Sequence, residues 1–129
     1  MPPRLAYTTL LIDEYDPALE YFRTVLRFIV LSDVSLGDGK RWVVVAPSHE
    51  GGALLLARAG TPDQVSMIGQ QGGGRVWLFL HTDDFERDYL HLQTHGVRFE
   101  EAPRDEAYGR VVVFVDRWGN RWDLIQPKA

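Results

Sequence analysis

The strongest constraint on this chain is a repeat. Sliding the sequence against itself by about 70 residues brings DEY (13–15) onto DDF (83–85) and WVVV (42–45) onto VVFV (112–115). Identity between the halves is low, but the order of apolar runs and turn signals is shared. A period of this kind means one supersecondary unit used twice. Two such units fill most of 129 residues, which is the length of one ordinary domain.

The unit can be read from its periodicities. Leu5 to Ile12 (LAYTTLLI) has strand composition. Asp16 and Pro17 then suit a helix start, with Asp16 as the cap. Ala18, Leu19, Phe22, Val25 and Leu26 recur at spacings of three and four, an apolar stripe of helical period. Strands are expected at Phe28–Leu31, Arg41–Ala46 and Ala53–Ala57, with turns at SLGDGK and SHEGG. Residues 58–74 read as a long connection with at most one helical turn. The order then returns: a strand at Arg75–His81, a capping box at Asp83–Glu86, and a helix carrying Phe85, Tyr89 and Leu92 on one face, closed by Gly96. Strands follow at Val97–Glu100, Gly109–Val115 and Arg121–Gln126, the last two joined by DRWGN. The fold class is α+β, as two tandem βαβββ modules at about 4–58 and 75–127, joined by a 59–74 linker within one domain.

Composition excludes several classes of function. There is no cysteine, which removes disulfides, thiol catalysis and thiolate metal sites together. Fourteen basic against 18 acidic residues leave a net charge of −4, and no basic cluster offers a nucleic acid its phosphate contacts. No apolar run approaches a membrane span, and MPPRLAYTTL lacks the apolar core of a signal peptide. The expected setting is therefore cytoplasmic, with no nucleic-acid or membrane partner.

RLAYTTLLIDEYDPALEYFRTVLRF (4–28) resembles the opening of the vicinal oxygen chelate superfamily, which includes glyoxalase I, bleomycin-resistance proteins, fosfomycin-resistance enzymes and extradiol dioxygenases. That opening is a strand, an acidic turn and a helix reading A-x-x-F-Y, followed by L-G-F; here it reads AxxYF (18–22) and LRF (26–28), with Arg27 in the glycine position. GVRF (96–99) and YGRVVVFVDRWGNRWDLIQ (108–126) are similar to the second module, DRWGN lacking only the proline of the usual D-P-x-G-N. The resemblance covers nearly the whole chain. It implies two curved sheets forming a mixed cup, and a homodimer in which the cup is shared or strands are exchanged.

Metal-dependent members place His or Glu on four strands. The corresponding positions here are Tyr7, Leu55 or Leu56, Arg75 and Asp123, of which only Asp123 is a good ligand. No metal or other cofactor is therefore expected. Strand alternation puts Tyr7 and Thr9 on one face of the first strand, Arg75, Trp77, Phe79 and His81 on one face of the fifth, and Asp123 with Ile125 on one face of the last. The candidate ligand-binding residues are Tyr7, Thr9, Arg75, Trp77 and Asp123, with Arg75 and Asp123 paired where the metal would be. The expected function is metal-free binding of a small organic molecule, as in antibiotic sequestration. Two alternatives are a metal-dependent lyase or dioxygenase using Asp123 with His81, and a metal-free enzyme in which Arg75 holds an anionic substrate.

Other signals point elsewhere. His91 and His95 share a helical face but lack the glutamate of a zinc-protease motif, HLQTH standing in its place, so a solvated face is expected. His49 falls in a turn. Gly72–Gly74 precedes a strand rather than a helix, so it supplies no phosphate-binding helix start. Trp42, Tyr108 and Trp118 are expected near the rim of the cup.

Overall fold

A computed structural model describes all 129 residues. Its elements run β1 (Tyr7–Ile12), α1 (Tyr15–Thr24), β2 (Ile29–Gly37), β3 (Lys40–Ala46), β4 (Ala53–Arg58), α2 (Pro62–Met67), β5 (Val76–His81), α3 (Phe85–Thr94), β6 (Arg98–Phe99), β7 (Arg104–Glu106), β8 (Gly109–Val115) and β9 (Arg121–Pro127). They fall into two units, Met1–Ile68 and Gly69–Ala129.

In the first unit the sheet order is β1-β4-β3-β2, with β1 and β4 parallel and the other pairs antiparallel. Alternation sends Leu10, Ile12, Val43, Val45, Leu54 and Leu56 to one face, all buried, where Ala18, Leu19 and Phe22 of α1 meet them. In the second unit the order is β5-β9-β8-β6, with β7 also on β8 and the β5/β9 pair again parallel. Val112, Phe114, Trp122 and Leu124 are buried on the side of Phe85 and Leu92 of α3, and Phe114 stacks on its register partner Trp122 at 5.6 Å. The duplicated sequence thus produces the same four-strand order twice, with β7 added to the second sheet.

Several boundaries differ from the sequence reading, each for a local reason. The second strand runs on to Gly37, because residues 32–37 pair with β3 through two register shifts that a period-two pattern does not encode. α1 is capped by Glu14, without a side-chain bond, and Asp16 instead bonds Arg41 at 2.8 Å. In α3 the cap is Asp84, one residue later than the capping box places it, and its carboxylate accepts from the Arg87 N–H. β7 has no sequence forecast: RDE is polar, and its pairing with β8 supplies what its composition does not. The 58–74 connection holds a six-residue helix whose Thr61 cap accepts from Gln64 N–H.

The two helix ends solve one problem differently. Gly96 has φ +72, with Val97 N–H on Leu92 O and Gly96 N–H on Gln93 O, a Schellman closure. The equivalent reversal after α1 is made by Arg27 at φ +57, a left-handed conformation that disfavours a side chain. The glycine conformation is retained without the glycine.

Candidate functional site

Each sheet leaves the face opposite its helix for other use. On the first sheet this face carries Tyr7 and Thr9, both exposed, with Ala53 and Leu55 of β4 as their register partners. Tyr7 makes an edge-to-face contact with Trp42 at 6.1 Å. Aromatic pairs prefer this geometry, and here it leaves half-exposed apolar surface beside a phenol.

On the second sheet the corresponding face is charged. Asp123 lies between Val113 of β8 and Phe79 of β5 in register. It is 7% exposed, and its Oδ1 has no hydrogen-bond partner. Burial pushes its carboxyl above the ordinary aspartate range; Arg104 works against that push and Glu101 adds to it. Arg104 has little to spare for Asp123, since it bonds Glu101 at 2.7 Å and Glu106 at 2.8 Å. A buried, unmatched carboxylate destabilises a fold, and such groups cluster where a protein needs their chemistry.

The expected Arg75–Asp123 ion pair is not formed. β5 begins to pair at Val76, and the residue opposite Asp123 is Phe79. Arg75 stands four residues before Phe79, roughly 13 Å along an extended chain. A register shift between Val76 and Leu78 places a bulge at Trp77, which sequence alternation cannot anticipate. Arg75 is exposed and lies with Trp77 in a hollow of about 240 Å³ that Asp123 does not line. Arg98, Arg121 and Gly72 share that hollow. The structure therefore groups the second-unit candidates as Arg75 with Trp77, and Asp123 apart.

A second buried acid, Asp116, was not a candidate. Its Oδ1 accepts from the N–H groups of Trp118, Gly119 and Asn120, and its Oδ2 from Asn120 Nδ2 and Trp122 Nε1. It organises the β8–β9 hairpin and has no evident free valence. The Asp-x-x-Gly-Asn spelling was the available signal, since aspartate commonly bonds backbone N–H groups two residues on. The Arg104–Glu101–Glu106 group beside Asp123 left no comparable signal, because β7 itself was not legible.

The histidines do not gather into a site. His49 lies in an exposed bend and His81 is exposed at the end of β5. His91 and His95 have ring centroids 4.2 Å apart near the end of α3, and His95 Nδ1 lies 3.0 Å from His91 O.

The sequence model described as Glyoxalase/Bleomycin resistance protein/Dioxygenase superfamily matches residues 4–124. The chain belongs to this superfamily. An uncharacterised protein of Shewanella frigidimarina is 44% identical over 128 residues, covering 98% of this chain and 95% of the relative. Among solved structures, UcmS2 is similar with a TM-score of 0.81 at 26% identity, covering 97% of this chain and 98% of that one. TnmS3, an antibiotic binding protein from Streptomyces sp. CB03234, gives 0.73 at 26% identity, covering 98% of each chain. The two βαβββ arrangements are thus the superfamily's fold.

Metal-dependent members of the superfamily hold a divalent ion, and the residues here do not fit one. At the four corresponding positions only Asp123 offers a good ligand atom. No three His, Cys, Asp or Glu side chains converge anywhere to hold an ion. Arg75, at a ligand position, is a cation.

Proposed function

We propose that this chain binds a small organic molecule without a metal ion and sequesters it, acting as a homodimer in the cytoplasm. The observation that carries the reading is Asp123, a buried carboxyl with an unmatched oxygen, at a position to which the sequence resemblance assigns a metal ligand in metal-dependent members. A ligand N–H or O–H brought to that carboxyl would match a group the protein alone leaves unmatched. Within the same unit Trp77 offers a flat wall and Arg75 a cation, in a hollow apart from Asp123, and the first unit by itself carries Tyr7 and Thr9 with an aromatic face and hydroxyls. The antibiotic-binding relative supports sequestration over turnover. No helix is long and apolar enough to cross a membrane, and the acidic balance disfavours nucleic acid.

The test is elemental analysis of the purified protein, followed by melting scans with divalent ions and then with organic ligands. The expected result is no stoichiometric metal, no ion-dependent shift, and ligands that raise the midpoint in the wild type but not in Asp123→Ala. One tightly held metal per chain would overturn the reading. Sedimentation of the same sample tests the dimer; a monomer at working concentration would remove that part.

A further inference from the structure

The hollow at the start of β5 has a composition that identifies what it would take. We infer that it binds the oxyanion end of a small aromatic molecule, a carboxylate or a phosphoryl group. The inference rests on the small-molecule reading only in taking Arg75 and Trp77 as ligand-facing.

Three guanidinium groups, those of Arg75, Arg98 and Arg121, line the hollow. One carboxylate serves two of them: Glu100 Oε1 meets Arg121 Nε at 3.1 Å and Arg98 at 3.4 Å. These contacts hold the Glu100 carboxyl below its usual range, Arg121 contributing most. Arg75 has no carboxylate of its own. Three positive charges against one leave the hollow cationic in a chain whose net charge is −4. Guanidinium forks match planar carboxylates and phosphoryl oxygens, and such charge-assisted bonds are roughly twice as strong as neutral ones.

The hollow is also built rather than incidental. Arg121 Nη1 donates to Gly74 O at 2.6 Å, fixing the loop 69–74 to the start of β9. A Cβ on Gly69 would sit 1.9 Å from Trp118 O, so only glycine lets the loop rest on the β8–β9 hairpin. A Cβ on Gly72 would stand 2.7 Å from Trp77 Cβ, so the bare backbone lies against the indole. Two arginines are thereby held in place by Glu100, and the free one, Arg75, stands beside an aromatic wall. A flat ring on Trp77 with its anionic substituent toward Arg75 satisfies both.

The experiment titrates 15N-labelled protein with benzoate, phenyl phosphate and neutral benzamide at constant ionic strength, followed by backbone amide shifts. The inference expects saturable shifts confined to residues 69–77, 98–100 and 119–121 for at least one anion. It expects benzamide to be at least tenfold weaker. Arg75→Ala should weaken the anion about tenfold, as loss of a charge-assisted bond at an exposed site implies, and Arg75→Lys should recover part of it. Arg75 is exposed, so both variants should keep the wild-type spectrum elsewhere. The stronger of the two anions says whether carboxylate or phosphoryl is preferred. Benzamide binding as well as the anions, unaffected by Arg75→Ala, would overturn the anion assignment while leaving small-molecule binding intact. Linear, scattered shifts with both anions would overturn it as well; ligands lost by Asp123→Ala would still support the broader reading.

Discussion

Two buried carboxylates, Asp116 at the end of β8 and Asp123 in the middle of β9, lie seven residues apart and live opposite lives. Asp116 is 4% exposed and Asp123 is 7% exposed, so burial alone does not separate them. Asp116 accepts three backbone N–H groups on one oxygen and two side-chain donors on the other. Asp123 leaves Oδ1 with none, and its surroundings raise its pKa. The difference is one of donor supply. A hairpin turns successive N–H groups inward toward Asp116, whereas a mid-sheet strand has already committed its N–H groups to the ladder with β8. A carboxylate in a turn can be structural, while one on a strand face must find side-chain donors or a ligand.

The sharpest way to break this comparison is Asp116→Ala. It would strand several buried donors at once, each unmatched group costing about 1–3 kcal/mol. The expected loss of unfolding free energy is at least about 3 kcal/mol, read by denaturant unfolding with an unchanged slope. A loss below about 1 kcal/mol would mean that water or other acceptors replace the carboxylate, and the contrast with Asp123 would collapse.

Asp123→Asn should act in the opposite direction and by less. A folded-state pKa raised above the unfolded value means that the native state binds the proton more tightly. Native stability is then greatest below the unfolded pKa and declines as pH rises through the raised folded one. The wild type should therefore lose stability across and just above the ordinary aspartate range, relative to Asp123→Asn, whose own profile lacks this slope. At neutral pH the variant should be more stable by about 1 kcal/mol, because a neutral amide is less costly to bury than an ionised carboxylate even though its oxygen still lacks a donor. Melting curves from pH 3 to 8 on both proteins check it. Parallel profiles would show that Asp123 titrates normally and that its burial carries no penalty. The same variant should bind ligand less well, the trade expected of a group kept for function.

How far the sequence reveals this molecule follows the same division. The duplicated strand and helix order was legible, because amphipathic periodicity reports burial directly: Phe22, Phe85 and Leu92 are buried as the stripes required. Tyr7 and Thr9 lie on the face opposite Leu10 and Ile12, as alternation placed them. Beyond the bulge at Trp77 the alternation no longer fixes position along the strand, and so the Arg75–Asp123 pair failed while each residue's unusual chemistry was visible. Arg98 and Arg121 escaped notice because neither breaks a pattern; only the fold brings them to Arg75. Arg27 shows the reverse case, a pattern break that the backbone absorbs without changing conformation.

The smallest effect completes the series with a carboxylate at the surface. Asp16 in the first turn of α1 is 85% exposed and bonds Arg41 at 2.8 Å. The geometry is good, yet exposed pairs contribute little, because water competes and salt screens them. Arg41 also keeps its two-point contact with Asp33, at 3.1 and 2.8 Å, and stacks over Tyr15, so it holds its place without Asp16. Asp16→Ala should therefore lower stability by no more than about 0.5 kcal/mol, an effect that vanishes in molar salt. Had Asp16 been the helix cap its spelling suggested, the loss would be about 1 kcal/mol and would persist in salt, because a cap acts through a short hydrogen bond to backbone. Unfolding midpoints at low and high ionic strength separate the two roles. A small, salt-sensitive loss would rank the three acids by their donors and burial, with Asp116 anchoring the fold, Asp123 opposing it and Asp16 nearly indifferent.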